Sequence, residues 1–204
     1  MITVTQEQIP FLSPLFLYLA LGNSRRYTPK FAPMIYDDYL TPESYEKLTS
    51  THLEYAKVHW IGKNSSPTNA LHELVHSTYK YLTRPALGAT AWYNIRPISP
   101  KWHNDIDSYC TQNGVKKWPE ILPELTFLYY VHSPSSGGNL QVKSEEYEPI
   151  VNRLLYFDAL LTHRIAPYEG NRVSIGMVWW PEIPFPYGTL STSEIVTLPR
   201  IWEQ

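Results

Sequence analysis

The feature that most constrains this chain is an alternating run over 172–178, which reads RVSIGMV. Apolar residues occupy every second position, the period of a β-strand, so Arg172, Ser174 and Gly176 share one face of a predicted strand. An arginine on the inward side of a strand requires an anion, because a buried charge without a partner is costly. The run therefore predicts a strand that carries an anion-binding arginine at its start.

Histidine and carboxylate residues precede this run in an order that favours a metal centre. His163 lies nine residues before Arg172, in a short polar turn after an apolar run. Further upstream, His103 and Asp105 are two positions apart, so on an extended segment both side chains project to the same side. Two imidazoles and one carboxylate near an arginine predict a metal ion beside a bound carboxylic acid.

The ordered set His103-x-Asp105, His163 and Arg172-x-Ser174 resembles the motif set of the iron- and 2-oxoglutarate-dependent oxygenases. The similarity covers roughly residues 31 to 181, and it is greatest to the prolyl-hydroxylase-like branch. Three further segments carry that part of the resemblance: FAPMIYDDYL at 31–40, LYYVH at 128–132 and GGNL at 137–140.

The resemblance implies a role for each motif residue. His103, Asp105 and His163 would hold Fe(II) as a facial triad and leave adjacent positions for a chelating 2-oxo acid and O2. Arg172 would pair with the far carboxylate of 2-oxoglutarate, and Ser174 would donate a second hydrogen bond to it. Related halogenases lack a carboxylate at the position of Asp105, so its presence implies a hydroxylase.

Three aromatic residues are further candidates for the site. Tyr129 lies where related hydroxylases use a tyrosine to bond the same carboxylate, and Tyr93 lies where a second tyrosine lines the co-substrate pocket. Core packing with a satisfied hydroxyl is the alternative interpretation of both. Trp180 is in register with Arg172 and is a candidate for substrate binding, with Trp179 as the alternative.

Length and composition favour one domain. A chain of 204 residues can bury a sizeable core, and its 18 prolines predict long irregular connections. We expect a single oxygenase domain with an N-terminal extension over 1–30 and a catalytic β-core over 89–181. The formal net charge of −2, without a run of Lys or Arg, argues against a nucleic-acid partner.

The single cysteine, Cys110, excludes an internal disulfide and predicts a reducing, cytoplasmic location. The apolar segment 9–22 is about as long as a signal-peptide core, but no Lys or Arg precedes it. It is also too short to span a bilayer and contains two prolines, Pro10 and Pro14. We therefore expect it to pack on the core, with no membrane partner.

Two helices are predicted, from Pro42 with Thr41 as N-cap to about Leu53, and over 69–82. Short apolar runs between turn residues then predict strands at 90–95, 125–132, 139–143, 153–158 and 172–180. The predicted class is mainly β with packing helices (α+β), a sandwich or jelly roll. The family resemblance implies a double-stranded β-helix (jelly-roll, cupin-like) core with the N-terminal helices outside.

A second metal motif competes with the first. The segment HELVH at 72–76 is a literal H-E-x-x-H, which on a helix places two histidines on one face for zinc. A metallopeptidase needs a third ligand, yet 74–104 contains no Asp or Glu. Helical periodicity puts His72 and His76 on the polar flank of an amphipathic helix, so we expect both to be exposed.

These observations favour an Fe(II)- and 2-oxoglutarate-dependent dioxygenase that hydroxylates an unactivated C–H bond and releases succinate and CO2. Ascorbate is a candidate reductant that keeps the iron in its ferrous state. A prolyl residue in a peptide or protein is the nearest family analogy for the substrate, and a free amino acid or small metabolite is the alternative. Zinc metallopeptidase and a non-catalytic jelly-roll binding module are the hypotheses from other classes.

Overall fold

The computed structural model describes residues 32–50, 57–95, 101–105, 123–181 and 193–199. The predictions made for Cys110, for the segment 9–22 and for the extension 1–30 lie outside these residues. In the described ranges, no helix combines the length and the apolar character needed to cross a membrane.

The described residues form two helices, α1 (Pro42–Thr49) and α2 (Ala70–Thr78), and a 3-10 turn at Tyr79–Tyr81. They also form twelve strands: β1 (Met34–Tyr36), β2 (Lys57–Gly62), β3 (Gly88–Asn94), β4 (Leu125–His132), β5 (Ser136–Gly137), β6 (Leu140–Val142), β7 (Glu145–Tyr147), β8 (Leu154–Asp158), β9 (His163–Ile165), β10 (Tyr168–Glu169), β11 (Val173–Trp180) and β12 (Ile195–Pro199). The prediction of a mainly β chain with packing helices is confirmed. The double-stranded β-helix stays a prediction.

Seven of these strands form one antiparallel sheet in the order β1-β8-β4-β11-β3-β2-β12, which we call the major sheet. Three short strands form a second sheet in the order β7-β6-β9, the minor sheet, and β10 pairs with β5 in a third. The alternating run predicted from sequence is β11, which lies at the centre of the major sheet between β4 and β3.

The two faces of the major sheet bury different partners. One, the helix face, packs Tyr129 and Ile175 with Leu48 of α1 and Leu74 of α2 in a single apolar cluster. Burying each such leucine contributes about 1.5–3 kcal/mol to stability, so this layer holds the helices on the sheet.

The opposite, inner face of the major sheet turns toward the minor sheet. Leu128 and Tyr130 of β4 pack there with Leu140 and Val142 of β6. Successive residues of a strand point to opposite faces, so Tyr129 and Tyr130 belong to different layers although they are adjacent in sequence.

Capping residues begin both helices, and Thr41 is the one that the sequence predicted. The Thr41 side chain accepts a hydrogen bond from Ser44 N at 3.3 Å, and the Asn69 side chain accepts one from His72 N at 3.0 Å. Each satisfies a backbone donor that the first turn leaves unpaired. The second helix ends earlier than predicted, at Thr78, whose hydroxyl donates to the Val75 carbonyl at 2.7 Å. Such bonds to the preceding turn compete with continued α-helix, and the chain tightens into the 3-10 turn.

Asn152 connects the N-terminal part of the described chain to β4. Its backbone is left-handed, with φ 60°, and its N–H donates to the Tyr130 carbonyl at 2.9 Å. Its side-chain oxygen accepts from Leu40 N at 2.9 Å and from the Tyr129 hydroxyl at 2.8 Å. Asparagine tolerates this conformation better than most residues. Its side chain therefore connects the chain at Leu40 to strand β4 at Tyr129.

Candidate metal centre

His103, Asp105 and His163 come together on the inner side of the minor sheet. Each offers one ligand atom within 4.8 Å of the others, and this is the one group of three or more His, Cys, Asp or Glu residues with such spacing in the described parts of the chain. Asp105 Oδ2 lies 3.4 Å from His163 Nε2, and Asp105 Oδ1 lies 3.9 Å from His103 Nε2. The three donors thus surround a common point.

A pair of backbone hydrogen bonds creates this convergence. His103 and His163 face each other in an isolated antiparallel bridge, with N–H to carbonyl distances of 3.0 and 2.9 Å. Directly opposed residues of an antiparallel pair project to the same face, so the two imidazoles meet. His163 therefore begins strand β9 rather than lying in the predicted polar turn, because the bridge to His103 extends its backbone.

The partners behind each ligand orient its metal-binding atom. His103 Nδ1 lies 2.8 Å from the Lys101 carbonyl, and His163 Nδ1 lies 2.9 Å from the Leu161 carbonyl. A carbonyl can only accept, so in the neutral ring Nδ1 carries the proton and Nε2 keeps its lone pair. The Thr126 hydroxyl donates to Asp105 Oδ2 at 2.7 Å and holds that carboxylate in place.

The two histidines differ in exposure, and His163 is the buried one. Burial lowers the pKa of His163, an effect that nearby Asp105 opposes and His103 reinforces, so the buried ring favours its neutral form. A neutral imidazole is the form that ligates a metal. The side chain of His103 is 42% exposed, so the centre is accessible from that side.

Arg172 is 2% exposed and lies immediately before β11, on the side of the inner face where it contacts Ser174. Its Nε donates to the Gly138 carbonyl at 3.2 Å and its Nη1 to Ser174 Oγ at 2.9 Å. Its Nη2 has no hydrogen-bond partner among the described residues, and none of their carboxylates pairs with it. The guanidinium thus has one buried donor without a hydrogen-bond partner, and its charge is paired with none of the described carboxylates.

Tyr130 supplies a second unpaired polar atom at the same place. It lies directly opposite Ser174 in the β4–β11 ladder, with its ring centroid 5.2 Å from Arg172 Cζ. Its buried hydroxyl has no partner in the described ranges. Burial raises the pKa of Tyr130 and Arg172 opposes that shift, so the hydroxyl stays a donor. Each such orphaned group costs about 1–3 kcal/mol, which an anion bound between them would recover.

The structure does not bring Tyr129 to Arg172. Tyr129 lies on the helix face and its hydroxyl donates to Asn152, whereas Tyr130 occupies the position expected for Tyr129. A shift of one residue moves a side chain to the other face of a sheet, which is the physical reason for the difference. Tyr93 also lies on the helix face, opposite Ile175, where burial raises its pKa to about 12.

Tryptophans line the inner face beyond Ser174. Trp180 shares this face with Arg172, as predicted by register, and its indole donates to the Thr90 hydroxyl at 2.8 Å. Trp92 lies flat against Gly176, since a Cβ at that glycine would lie 2.6 Å from its ring. The alternative candidate, Trp179, faces the helices and donates to Thr78 at 2.8 Å.

The H-E-x-x-H segment forms most of α2 but not a metal cluster of the described residues. His72 is 4% exposed, which corrects the expectation of an exposed histidine. Its Nδ1 lies 2.9 Å from the Thr68 hydroxyl and its Nε2 lies 3.3 Å from Asn69 Nδ2, so both ring nitrogens are occupied. Three successive residues of the first turn, Ala70, Leu71 and His72, are buried, and the helical periodicity did not predict burial of His72.

The other two polar residues of that segment also have partners within the fold. His76 Nε2 lies 3.2 Å from Ser65 Oγ, and Glu73 pairs with Lys47 at 2.6 Å on the surface. The geometry gives the zinc peptidase hypothesis no support.

No protein-family model matches the sequence, and the search of curated proteins gives no match. Among solved structures, a prolyl-4-hydroxylase from Pseudomonas putida is similar, with 13% identity, a TM-score of 0.55, and 76% of this chain and 95% of that chain covered. A viral collagen prolyl hydroxylase from Paramecium bursaria Chlorella virus-1, solved as a 2-oxoglutarate complex, has 11% identity, a TM-score of 0.51, and 74% and 96% covered. The chain therefore shares its fold with these two prolyl hydroxylases.

Proposed function

We propose that the chain is an Fe(II)- and 2-oxoglutarate-dependent oxygenase that hydroxylates an unactivated C–H bond, on a double-stranded β-helix core. The observation that carries this proposal is the convergence of His103, Asp105 and His163 on the inner side of a fold whose buried Arg172 has an unpaired donor. The three ligands would hold the metal ion, and Arg172 would anchor the acid that binds beside it.

The donor set fits ferrous iron. Two neutral imidazoles and one carboxylate on one side of a metal leave further positions for exchangeable ligands, which is typical of non-haem iron oxygenases. Bound iron and 2-oxoglutarate would supply the oxidising chemistry, in which O2 is consumed, succinate and CO2 are released, and one oxygen atom enters the substrate. Ascorbate would serve as the external reductant.

Arg172, Tyr130 and Ser174 would hold the far carboxylate of 2-oxoglutarate. The unpaired Nη2 and the Tyr130 hydroxyl are both donors, and both lie in a buried environment. Charge-assisted hydrogen bonds to a carboxylate are about twice as strong as neutral ones, and low dielectric strengthens them further. Tyr93 and Tyr129 have no part in this cradle, since their side chains lie on the helix face.

The substrate would approach from the side on which His103 is exposed. The inner-face tryptophans, Trp180 and Trp92, would then form an apolar wall that excludes water from the reacting carbon. Because the two fold relatives are named prolyl hydroxylases, a proline-containing peptide is the first substrate class to test. Free amino acids are the second.

The test is conversion of 2-oxoglutarate to succinate in the presence of Fe(II), ascorbate and either proline-rich peptides or free amino acids. We expect succinate and a product heavier by one oxygen atom, and no turnover by His163→Ala, which should still fold. If neither substrate class stimulates succinate formation above the His163→Ala background, the assignment as a hydroxylase of these substrates fails.

A further inference from the structure

A row of four side chains lies on the outer face of the minor sheet, behind the candidate metal centre. It runs across neighbouring strand positions and consists of Trp102, Arg164, Gln141 and Glu146, and we call it the outer row. Gln141 is opposite Glu146 in one ladder and opposite Arg164 in the next. The bridge between His103 and His163 places Trp102 opposite Arg164.

Each member of the outer row contacts the next one across the sheet. Arg164 Cζ lies 4.7 Å from the centroid of the Trp102 ring, and Arg164 Nε donates to Gln141 Oε1 at 2.6 Å. Gln141 in turn donates to Glu146, which also accepts from Asn139 at 3.1 Å. Hydrogen bonds from Gln141 and Asn139, with a further effect of Arg164, lower the pKa of Glu146, so this end of the row stays anionic.

Three residues of the outer row each adjoin a residue that is a metal-ligand candidate or lies opposite one. Trp102 precedes His103, Arg164 follows His163, and Gln141 precedes Val142, which lies opposite His163. Because side chains alternate across a strand, the outer row is the reverse side of the surface that presents the two imidazoles. A shift of Trp102 against Arg164 would therefore move His103 against His163.

Few described backbone hydrogen bonds hold the 101–105 segment to the rest of the chain. Its described backbone bonds to the rest of the chain are the two of the His103–His163 bridge and Asp105 N to the Ala159 carbonyl at 3.1 Å. His103 itself is exposed on its open side. Two side-chain hydrogen bonds add to these backbone bonds, from Asn104 to the Leu160 carbonyl and from Thr126 to Asp105. With so few bonds we expect the local stability to be low, so that a side-chain contact across the bridge contributes to the register.

We propose that Trp102 and Arg164 are positioning residues for the metal: their stacking fixes the register of the 101–105 segment against β9 and so sets the separation of the two histidine ligands. This inference rests on the proposed function, because it assumes that the three residues bind Fe(II). Trp102 is 44% exposed, so it is not a core residue, and packing in the core does not explain its position.

The test compares metal affinity and stability in the same variants, with Mn(II) as a redox-stable probe titrated by calorimetry or electron paramagnetic resonance. Trp102→Ala should weaken Mn(II) binding about two- to five-fold, equivalent to about 0.5–1 kcal/mol for an exposed cation–π contact. Arg164→Met should give at least as large a loss, because it also removes the hydrogen bond to Gln141. The double variant should lose no more than Arg164→Met alone, because that change has already removed the contact with Trp102. Trp102→Phe, which keeps a ring over the guanidinium, should retain most of the affinity.

Tyr79→Ala is the matched control. Tyr79 is a partly exposed aromatic residue, 37% exposed, that packs on Trp179 at a ring distance of 5.0 Å on the helix side of the fold. It should lower the unfolding temperature without changing Mn(II) affinity. The inference is overturned if Trp102→Ala binds Mn(II) as tightly as the wild type, or if Tyr79→Ala weakens binding equally. If the wild-type protein does not bind Mn(II), both the inference and the proposed function fail. If the wild type binds Mn(II) and Trp102→Ala binds it equally tightly, only the inference fails.

Discussion

Ser174 on β11 lies directly opposite Tyr130 on β4, and this pairing places the tyrosine hydroxyl on the same face of the sheet as Arg172. Neither the Tyr130 hydroxyl nor Arg172 Nη2 has a hydrogen-bond partner in the described part of the chain. These two buried donors would suit the carboxylate in the proposed function, because each would recover its desolvation cost when the anion binds.

Substituting the two adjacent tyrosines of β4 one at a time distinguishes the role of the inner face from that of the helix face. Tyr130→Phe should weaken 2-oxoglutarate binding roughly ten- to hundredfold, because it removes a hydrogen bond to a charged group worth about 1.5–3 kcal/mol. Tyr129→Phe should leave that affinity unchanged and lower stability by about 1 kcal/mol, since its hydroxyl bonds Asn152 instead. The measurements are the KM for 2-oxoglutarate and the free energy of unfolding. A larger KM effect for Tyr129→Phe would contradict the assignment.

Arg172→Met should reduce 2-oxoglutarate affinity far more than metal affinity. The substitution leaves a buried carboxylate without its cation, a loss of roughly 3–5 kcal/mol or about 10²–10³ in affinity. Binding of Fe(II) should stay within about twofold of the wild type, because no atom of Arg172 is among the ligands. Titrating both ligands anaerobically checks the two values, and an unchanged 2-oxoglutarate affinity would refute the role of Arg172.

Gly176→Ala should disturb the inner face through Trp92. A Cβ there would lie 2.6 Å from the indole ring, which must move, at a cost of about 1–3 kcal/mol. We expect lower thermal stability and a raised substrate KM. The double variant Gly176→Ala/Trp92→Phe should recover part of the stability, because the smaller ring leaves room for the methyl group. If the double variant is less stable by the sum of the two single losses, the proposed clash is not the cause.

His72 should make folding stability depend on pH in the acid range. Burial, together with His59 and His76, lowers the pKa of His72 from 6.5 to about 4 in the folded protein. The unfolded chain therefore binds more protons between these values, so this contribution is fully present above pH 6.5 and is lost as pH falls toward 4. The change amounts to roughly 3 kcal/mol at 1.36 kcal/mol per pKa unit.

Denaturant unfolding at several pH values checks this contribution. The variant His72→Gln should be less stable than the wild type at pH 7 and should show a flatter decline of stability between pH 6.5 and 4. Glu73→Gln is the control on the same helix, since it removes only a surface ion pair with Lys47. Parallel pH curves for His72→Gln and the wild type would contradict the assignment.

Two kinds of sequence pattern predicted strands correctly. One is the alternation of polar and apolar residues, and the other is an apolar run bounded by turn residues. The run at 172–178 is β11, and the apolar run at 125–132 is β4. Strand β9 escaped prediction because it has three residues, too few for a period, and its pairing with the distant His103 is a tertiary interaction. The length of α2 was overestimated for a local reason, since the Thr78 hydroxyl bonds the preceding turn where the α-helix ends.

Within the site, the ordered motif identified the residues that the fold brings together, because the chemistry fixes their types and order. The choice between Tyr129 and Tyr130 could not be made the same way. Strand β4 is buried on both faces, so its sequence has no polar alternation that marks the inner side. Only the pairing of β4 with β11 identifies Tyr130, and that register comes from packing across the whole sheet.

The most direct test of the central claim is the absorption spectrum of the wild-type protein after anaerobic addition of Fe(II) and 2-oxoglutarate. If His103, Asp105 and His163 hold the iron while Arg172 anchors the acid, a visible charge-transfer band of the chelated 2-oxo acid should appear, saturate at one equivalent of iron per chain, and be absent from His163→Ala. A spectrum that stays featureless while the protein remains folded, or an equal band in His163→Ala, would contradict the account.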